Sequence, residues 1–237
     1  MKVRLMLTCL CDAFYGEVVI AAARVLESAG CEVLFDSDQT CCGQPPFNSG
    51  SWDSARTIAR HCLRVLDLDK DDPLPVVTPS ASCAAMMREG YPLLFDSHTH
   101  LPVFELGEFL WNHLNVRSWP NARPTERKIA FHTACHGRAI GLGNVQQNLL
   151  ASLPGLQIVP FQDADQCCGF GGAFCATHSA VSAGIGDEKL KNVLATGVTE
   201  LVSGDMGCLM HLQGLIDRQG LDLKTRHYAE LLAEAVA

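Results

Sequence analysis

The pattern of apolar and polar positions predicts strands and helices that alternate along the chain. Short apolar runs bounded by turn-like residues predict buried strands over 3–8, 31–36 and 74–79. Apolar residues at helical spacing predict helices over 18–26, 51–68 and 105–114. This rhythm is typical of an α/β fold, in which helices cover a parallel sheet.

The second half of the chain repeats the cysteine pattern of the first half. Three cysteines recur 126 residues later and a fourth recurs 125 residues later: Cys9 and Cys135, Cys41 and Cys167, Cys42 and Cys168, Cys83 and Cys208. The loose segment 116–127 between the copies indicates a linker. The sequence therefore predicts a tandem duplication of a Rossmann-like parallel-sheet domain, with one domain over 1–120 and another over 121–237.

Four cysteines have no counterpart at this spacing. Cys11 faces Gly137, Cys31 faces Gln157, Cys62 faces Glu188 and Cys175 faces Ser49. A function that both halves share should use the shared set, so these four are expected to pack as small apolar groups. Cys62 lies on an apolar helical face and is predicted to be core.

The composition describes an ordinary globular chain. Of its 237 residues, 48% are hydrophobic and 19% are charged, and the net charge is −8 without any run of lysine or arginine. Nucleic acids and anionic membranes are bound through clustered cations, so we expect neither partner. No apolar stretch approaches the length of a transmembrane helix, and we expect no membrane insertion.

The N-terminus and the cysteine count together predict a cytoplasmic protein. Residues 1–11 resemble a short signal peptide, but the same pattern recurs inside the chain at 127–136, which indicates a buried strand. Disulfides are rare in the reducing cytosol, so twelve cysteines there indicate metal or redox chemistry.

The repeated cysteines are predicted to meet at one edge of each sheet. In each half one cysteine ends the first strand, an adjacent pair follows the second strand, and the last follows the third. Parallel strands present their carboxyl ends at a common edge, where open α/β folds bind their ligands. Helix N-termini there favour thiolates, and Gly43 and Gly169 suit a sharply bent loop. The predicted ligands are Cys9, Cys41, Cys42 and Cys83 in the first half and Cys135, Cys167, Cys168 and Cys208 in the second.

Four sulfur ligands per half suit an iron–sulfur cluster or a structural zinc ion. Zinc sites commonly pair their ligands as Cys-x-x-Cys, which does not occur in this sequence. The spacing therefore favours iron–sulfur clusters. A zinc-stabilised interaction scaffold, or zinc in one half alone, is the alternative.

A few other residues near the repeated cysteines are candidates for a role. Four histidines could donate hydrogen bonds to a cluster or relay protons, with ordinary packing or solvation as the alternative: His132, His136, His178 and His211. Cys175 could be a spare ligand, but it ranks below the eight because its repeat partner is a serine.

Two copies of the pattern Cys…Cys-Cys-Gly…Cys resemble the CCG cysteine-rich domain family, which includes the cysteine-rich subunit of heterodisulfide reductase and the iron–sulfur subunit of glycolate oxidase. The resemblance covers essentially the whole chain and rests on TCLCDAFY, CCGQPPFNSG, PSASCAAMMREGYP, FHTACH, QCCGFGGAF and DMGCLMHLQG. These segments look like those of members that act in lactate utilization. The resemblance implies an iron–sulfur subunit, inactive alone, of a system that oxidises L-lactate to pyruvate. Its implied partners are a ferredoxin-type iron–sulfur subunit and a further small subunit.

One departure from the family pattern concerns a fifth cysteine. Heterodisulfide reductase members end the motif with Cys-x-x-Cys, whereas this chain has Ser80 and Asp205 at the first of those positions. Without a fifth thiolate, disulfide chemistry is not expected, and one 4Fe–4S cluster per half is the simpler expectation. Asp205 could bind iron through an oxygen or form a hydrogen bond near it.

Overall fold

In the computed structural model, which describes residues 1–96 and 100–236, the chain forms two parallel four-stranded sheets. The chain divides into a first unit, Met1–Asn115, and a second unit, Val116–Ala237. The strands are β1 (Lys2–Leu5), β2 (Glu32–Leu34), β3 (Val76–Thr78), β4 (Val103–Glu105), β5 (Arg127–His132), β6 (Leu156–Ile158), β7 (Glu200–Ser203) and β8 (Lys224–His227). Their order is β2-β1-β3-β4 in the first sheet and β6-β5-β7-β8 in the second. The repeated order confirms the predicted duplication of an α/β domain.

Helices connect the strands in both units. The first unit contains α1 (Cys9–Phe14), α2 (Gly16–Ser28), α3 (Gln44–Asn48), α4 (Trp52–Val65), α5 (Ala81–Ala85), α6 (Tyr91–Phe95) and α7 (Leu106–Glu108), with π-helical turns at Met86–Gly90 and Phe109–His113. The second contains α8 (Cys135–Ala139), α9 (Val145–Ala151), α10 (Ala173–Thr177), α11 (Ser179–Leu194), α12 (Met206–Gln219) and α13 (Tyr228–Val236). Across the described ranges, no helix is both long enough and apolar enough to cross a lipid bilayer.

The strand register places the carboxyl ends of neighbouring strands at the same level. In the second sheet, Ser203 at the end of β7 pairs with His132 at the end of β5 and with His227 at the end of β8. In the first sheet, Thr78 at the end of β3 pairs with Glu105 at the end of β4. Among the central strands, β3 is buried at all three residues and β7 at three of its four. Loops that leave these ends therefore start from one common edge.

Two local features differ from the sequence-based expectations. Each unit has a fourth strand that the pattern does not predict, because β4 runs directly into α7 at the start of the predicted helix over 105–114 and β8 has the polar sequence KTRH. Cys9 does not end β1. The side chain of Thr8 accepts a hydrogen bond from the amide of Cys11 (3.3 Å) and caps α1, so Cys9 begins a helix instead.

The helix after the Cys-Cys-Gly loop is shifted by one residue between the two halves. Its buried positions include Ala55, Ala59 and Cys62 in α4 and Ser182, Gly186 and Lys189 in α11. A Cβ added to Gly43 would meet the carbonyl oxygen of Ala55, and one added to Gly169 would meet that of Ser182. Cys62 is buried, as predicted, but its structural counterpart is Lys189. The pairing of Cys62 with Glu188 was wrong because a uniform spacing ignores the extra residue in the second loop.

Two glycines of α11 give opposite expectations for substitution by alanine. A Cβ at Gly186 would lie 2.3 Å from Cδ1 of Leu215 in α12 and 3.2 Å from the carbonyl oxygen of Cys168, whereas a Cβ at Gly184 would meet open space. We expect G186A to lower the free energy of unfolding by about 1–3 kcal/mol through overpacking. G184A should raise it by up to about 1 kcal/mol, because alanine is the better helix former. Urea unfolding followed by circular dichroism measures both, and equal effects would contradict close packing of α11 on α12.

Candidate metal centre

In the first unit the four repeated cysteines form one connected group of thiols. The thiols interact in sequence, Cys9 with Cys41, Cys41 with Cys42, and Cys42 with Cys83, and each shifts the pKa of its neighbour. Cys42 and Cys83 are buried, with 2% and 6% of their surface exposed, whereas Cys9 and Cys41 are only partly buried. The group therefore has an inner pair and an outer pair.

The second unit repeats this arrangement in the same order. Cys135 interacts with Cys167 and Cys167 with Cys168, each shifting the pKa of its neighbour, and Cys168 donates a hydrogen bond to Cys208. The Sγ atoms of the inner pair, Cys168 and Cys208, lie 2.9 Å apart. In the outer pair Cys135 is partly buried and Cys167 is exposed. All twelve cysteines of the chain are free thiols, so each group can offer four sulfur ligands.

One outer thiol in each group is held in its ionised form. Hydrogen bonds from Cys42 and Cys9 hold the pKa of Cys41 at about 3. The equivalent bonds from its two neighbouring thiols lower the pKa of Cys167 well below its usual range. The thiols that donate these bonds have raised pKa values, because they keep a proton in the bond and are desolvated. A metal that binds all four sulfurs must displace these remaining protons.

Backbone amides of the Cys-Cys-Gly loops point at the sulfurs. The amide of Gly43 lies 3.4 Å from Sγ of Cys41, and the amide of Gly169 lies 3.3 Å from Sγ of Cys167. Both glycines have the left-handed φ values that the predicted sharp bend requires, 88° and 94°. Such N–H···S contacts stabilise negative charge on sulfur.

The positions of the missing fifth cysteine are occupied by helix N-caps. The hydroxyl of Ser80 accepts a hydrogen bond from the amide of Cys83 (3.2 Å) at the start of α5. The carboxylate of Asp205 accepts one from the amide of Gly207 (3.1 Å) at the start of α12. Both side chains thus hold the helix that carries the last cysteine of the motif.

His132 is a fully buried histidine at the end of β5, directed at the inner thiols. A ring nitrogen lies within 4.8 Å of Sγ of Cys168 and of Cys208. Within the described ranges, neither ring nitrogen has a partner at hydrogen-bond geometry. Burial, followed by the charge of Lys189, lowers the pKa of His132 to about 3, so the ring is neutral. The equivalent position in the first unit, 126 residues earlier, is Met6.

Two further histidines contact the second thiol group or its loop. His136 follows Cys135 directly, and its Nδ1 lies 3.7 Å from that Sγ. His211 in α12 packs beside the Cys-Cys-Gly loop, with Nε2 3.4 Å from Oγ of Ser182 and its ring centroid 6.2 Å from that of Phe170. The sequence placed both near the cysteines without deciding what they contact.

His178 and Cys175 make local contacts around α10. Nδ1 of His178 lies 2.9 Å from Oγ1 of Thr177, and its ring stacks on Phe174. The thiol of Cys175 donates a hydrogen bond to the carbonyl oxygen of Gly172 (3.0 Å). Both side chains therefore form these contacts with residues of their own segment, 172–178.

Two residues that support the site were not identified from the sequence. The buried hydroxyl of Tyr91 donates a hydrogen bond to the carbonyl oxygen of Cys42 (2.9 Å) and so holds the Cys-Cys pair from behind. Lys189 is fully buried, and its ammonium donates to the carbonyl oxygens of Asp163 (3.2 Å) and Ala164 (3.1 Å), just before Cys167. Lys189 could have been identified from the sequence because it is a charged residue at a position where the helical pattern expects an apolar one.

Sequence comparison connects the chain to a family and to curated relatives. The profile of the CCG cysteine-rich domain matches residues 3–88 and again 129–213. Lactate utilization protein A of Geobacillus thermodenitrificans is 39% identical over 242 residues, covering 98% of each chain. Lactate utilization protein A 2 of Bacillus cereus strain Q1 is 35% identical over 247 residues, covering 100% of each.

A solved structure shares the fold at low sequence identity. A hypothetical protein from Helicobacter pylori superposes with a TM-score of 0.62 at 9% identity, covering 100% of this chain and 49% of the other. The likeness supports the two-domain α/β architecture and extends to the fold alone.

Substitutions of Asp205 separate the role of a helix cap from that of a metal ligand. Asparagine caps helices as well as aspartate does, so D205N should retain both stability and metal content. D205A removes the cap and should lower the free energy of unfolding by about 1 kcal/mol, as should Ser80→Ala in the first unit. Thermal unfolding and metal analysis give the two readouts. Metal loss from D205N at unchanged stability would instead make Asp205 a ligand.

Proposed function

The chain belongs to the CCG cysteine-rich domain family, and we propose that it is an iron–sulfur electron-transfer subunit of an L-lactate oxidation system, with one cluster in each half. The observation that carries the proposal is the linear group of four thiols that both units form in the same order. The full-length relatives named lactate utilization protein A support the substrate.

The donor set fits such a cluster in each unit. Four thiols are the number that a 4Fe–4S cluster binds, and amides directed at the sulfurs stabilise its negative charge. When bound, the cluster would accept and release single electrons. The residues that would hold it are Cys9, Cys41, Cys42 and Cys83 in the first unit and Cys135, Cys167, Cys168 and Cys208 in the second.

The inner and outer thiols of each group would contribute differently. Cys42 packs in a core cluster with Met86 and Met87, and Cys168 packs in another with Leu190. These apolar neighbours exclude water from the inner side of the site. The outer thiols reach the surface, which supports electron exchange with another protein. We propose the ferredoxin-type subunit and the further small subunit as those partners, in the cytoplasm.

A zinc-stabilised scaffold is the second candidate function, and one observation favours it in the second unit. His132, Cys168 and Cys208 offer a nitrogen and two sulfurs within 4.8 Å of one another. Zinc accepts such a mixed set of ligands. In that case the second unit would be held together by a metal that carries no electrons.

Metal analysis after strictly anaerobic purification distinguishes the two candidates. Electron transfer predicts brown protein with several irons per chain and an EPR signal on reduction. Colourless protein with stoichiometric zinc would contradict the proposal.

Single cysteine substitutions test the two separate sites. Cys42→Ser and Cys168→Ser should each remove about half of the iron, because each breaks one four-thiol group. Cys31→Ser, a buried cysteine outside both groups, is the matched control and should leave the iron content unchanged. Loss of all iron from either variant would mean that the two halves share one centre.

Growth on L-lactate tests the substrate. Deletion of the gene should abolish growth on L-lactate and spare growth on glucose. The wild-type gene should restore growth, and the Cys42→Ser gene should not. Normal growth of the deletion strain on L-lactate would count against the lactate assignment while leaving the metal analysis intact.

A further inference from the structure

A buried lysine lies beside the thiols of the second unit. Lys189 is the one cation among the buried residues that the structure describes. Besides the carbonyl oxygens of Asp163 and Ala164, its ammonium faces the ring of Phe161, 5.2 Å from the centroid. No carboxylate in the described ranges forms a salt bridge with it. Neutral groups offset only part of the several kcal/mol that burial of an ammonium costs.

The thiolate of Cys167 and the carboxylate of Asp165 supply part of the missing compensation. Burial lowers the pKa of Lys189 to about 8, and the neighbouring Cys168 and Cys208, with Asp165 and Cys167, act against that shift. Of these three sulfurs only Cys167 has a lowered pKa and carries a negative charge, whereas Cys168 and Cys208 keep their protons until a metal binds. The side chain is therefore mostly charged at neutral pH. The same attraction that keeps Lys189 protonated acts in return on any negative charge that collects on these sulfurs.

The first unit has an uncharged residue at the equivalent position. The counterpart of Lys189 is Cys62, a buried thiol that interacts with Tyr91. Burial raises the pKa of Cys62 to about 11, so this thiol is neutral. The two groups have the same four cysteines, but the second has a charged lysine, Lys189, where the first has the neutral thiol of Cys62.

Other polar groups near the second site do not replace the effect of Lys189. His132 is neutral and adds no charge. Asp205 is a buried opposing charge, but its carboxylate caps α12, where the positive end of the helix partly compensates it. Ser80 stands at that position in the first unit. Lys189 is thus the group that favours additional negative charge on the second centre.

We propose that Lys189 stabilises the reduced form of the centre held by the second unit, so that the two centres of the chain accept electrons at different potentials. The inference rests on the proposed iron–sulfur function. The step is a one-electron reduction, in which the electron comes from the donor of the oxidation system or from dithionite in vitro. Lys189 keeps its proton throughout. A nearby buried cation lowers the free energy of the more negative state, because Coulomb attraction is weakly screened inside a protein.

Potentiometric titration followed by EPR tests this role in the full-length chain. The Cys42→Ser background removes the first centre, and K189M is compared within it. We expect the equilibrium constant for reduction to fall at least about tenfold, which is 59 mV for a one-electron couple. K191M is the matched control, since Lys191 lies on the same helix with 74% of its side chain exposed. Its midpoint should not shift.

Two results would overturn the proposal. One is a K189M protein with full iron and an unchanged midpoint. The other, where K189M fails to bind iron, is a K189Q protein with full iron and an unchanged midpoint, because glutamine keeps a donor for the loop before Cys167 without the charge. Wild-type protein without iron is a different failure, since it contradicts the proposed function at the metal analysis.

Discussion

Parallel pairing of the central strands is the interaction on which the rest of the structure depends. Residues of the motif that are more than thirty positions apart in sequence meet only because β1 pairs with both β2 and β3 in the same direction. The three loops then leave one edge of the sheet, and the short helices that follow begin there. The thiols are thereby forced into contact, and their shared protons and shifted pKa values follow from that contact.

The duplication preserved this scaffold and changed the surroundings of the thiols. The first unit places Met6, Cys62 and Ser80 around its group, all of them uncharged. The second unit has His132, Lys189 and Asp205 at the corresponding positions. A strand order fixed by backbone hydrogen bonds tolerates such exchanges, because the ladder does not depend on which side chain stands behind the loop. Two groups with the same four cysteines can therefore acquire different electrostatic environments.

Sequence patterns predicted the α/β fold, its duplication and the convergence of the repeated cysteines, since these depend on periodicity and spacing. The fourth strands were not predicted because β4 runs directly into α7 and β8 is polar, so their place is set by pairing with β3 and β7. The helical start at Cys9 depends on a single cap from Thr8. Lys189 was not identified because its correspondence with Cys62 appears only when the repeats are aligned with a one-residue shift in the loop. Tyr91 was not identified because its hydrogen bond to Cys42 joins two segments that are far apart in the sequence.

The outer position of Cys41 and Cys167 bears on how the proposed centres would be assembled. Each is the most acidic thiol of its group and lies on the solvent side of it. An ionised sulfur at the entrance is the first ligand that an incoming metal or a cluster-delivering protein meets. The adjacent cysteine in the chain is the next, and it leads inward to the pair enclosed by the core. If the proposed centres form, the Cys-Cys dipeptide would give their assembly a direction, from the surface to the interior, with protons released as each sulfur binds.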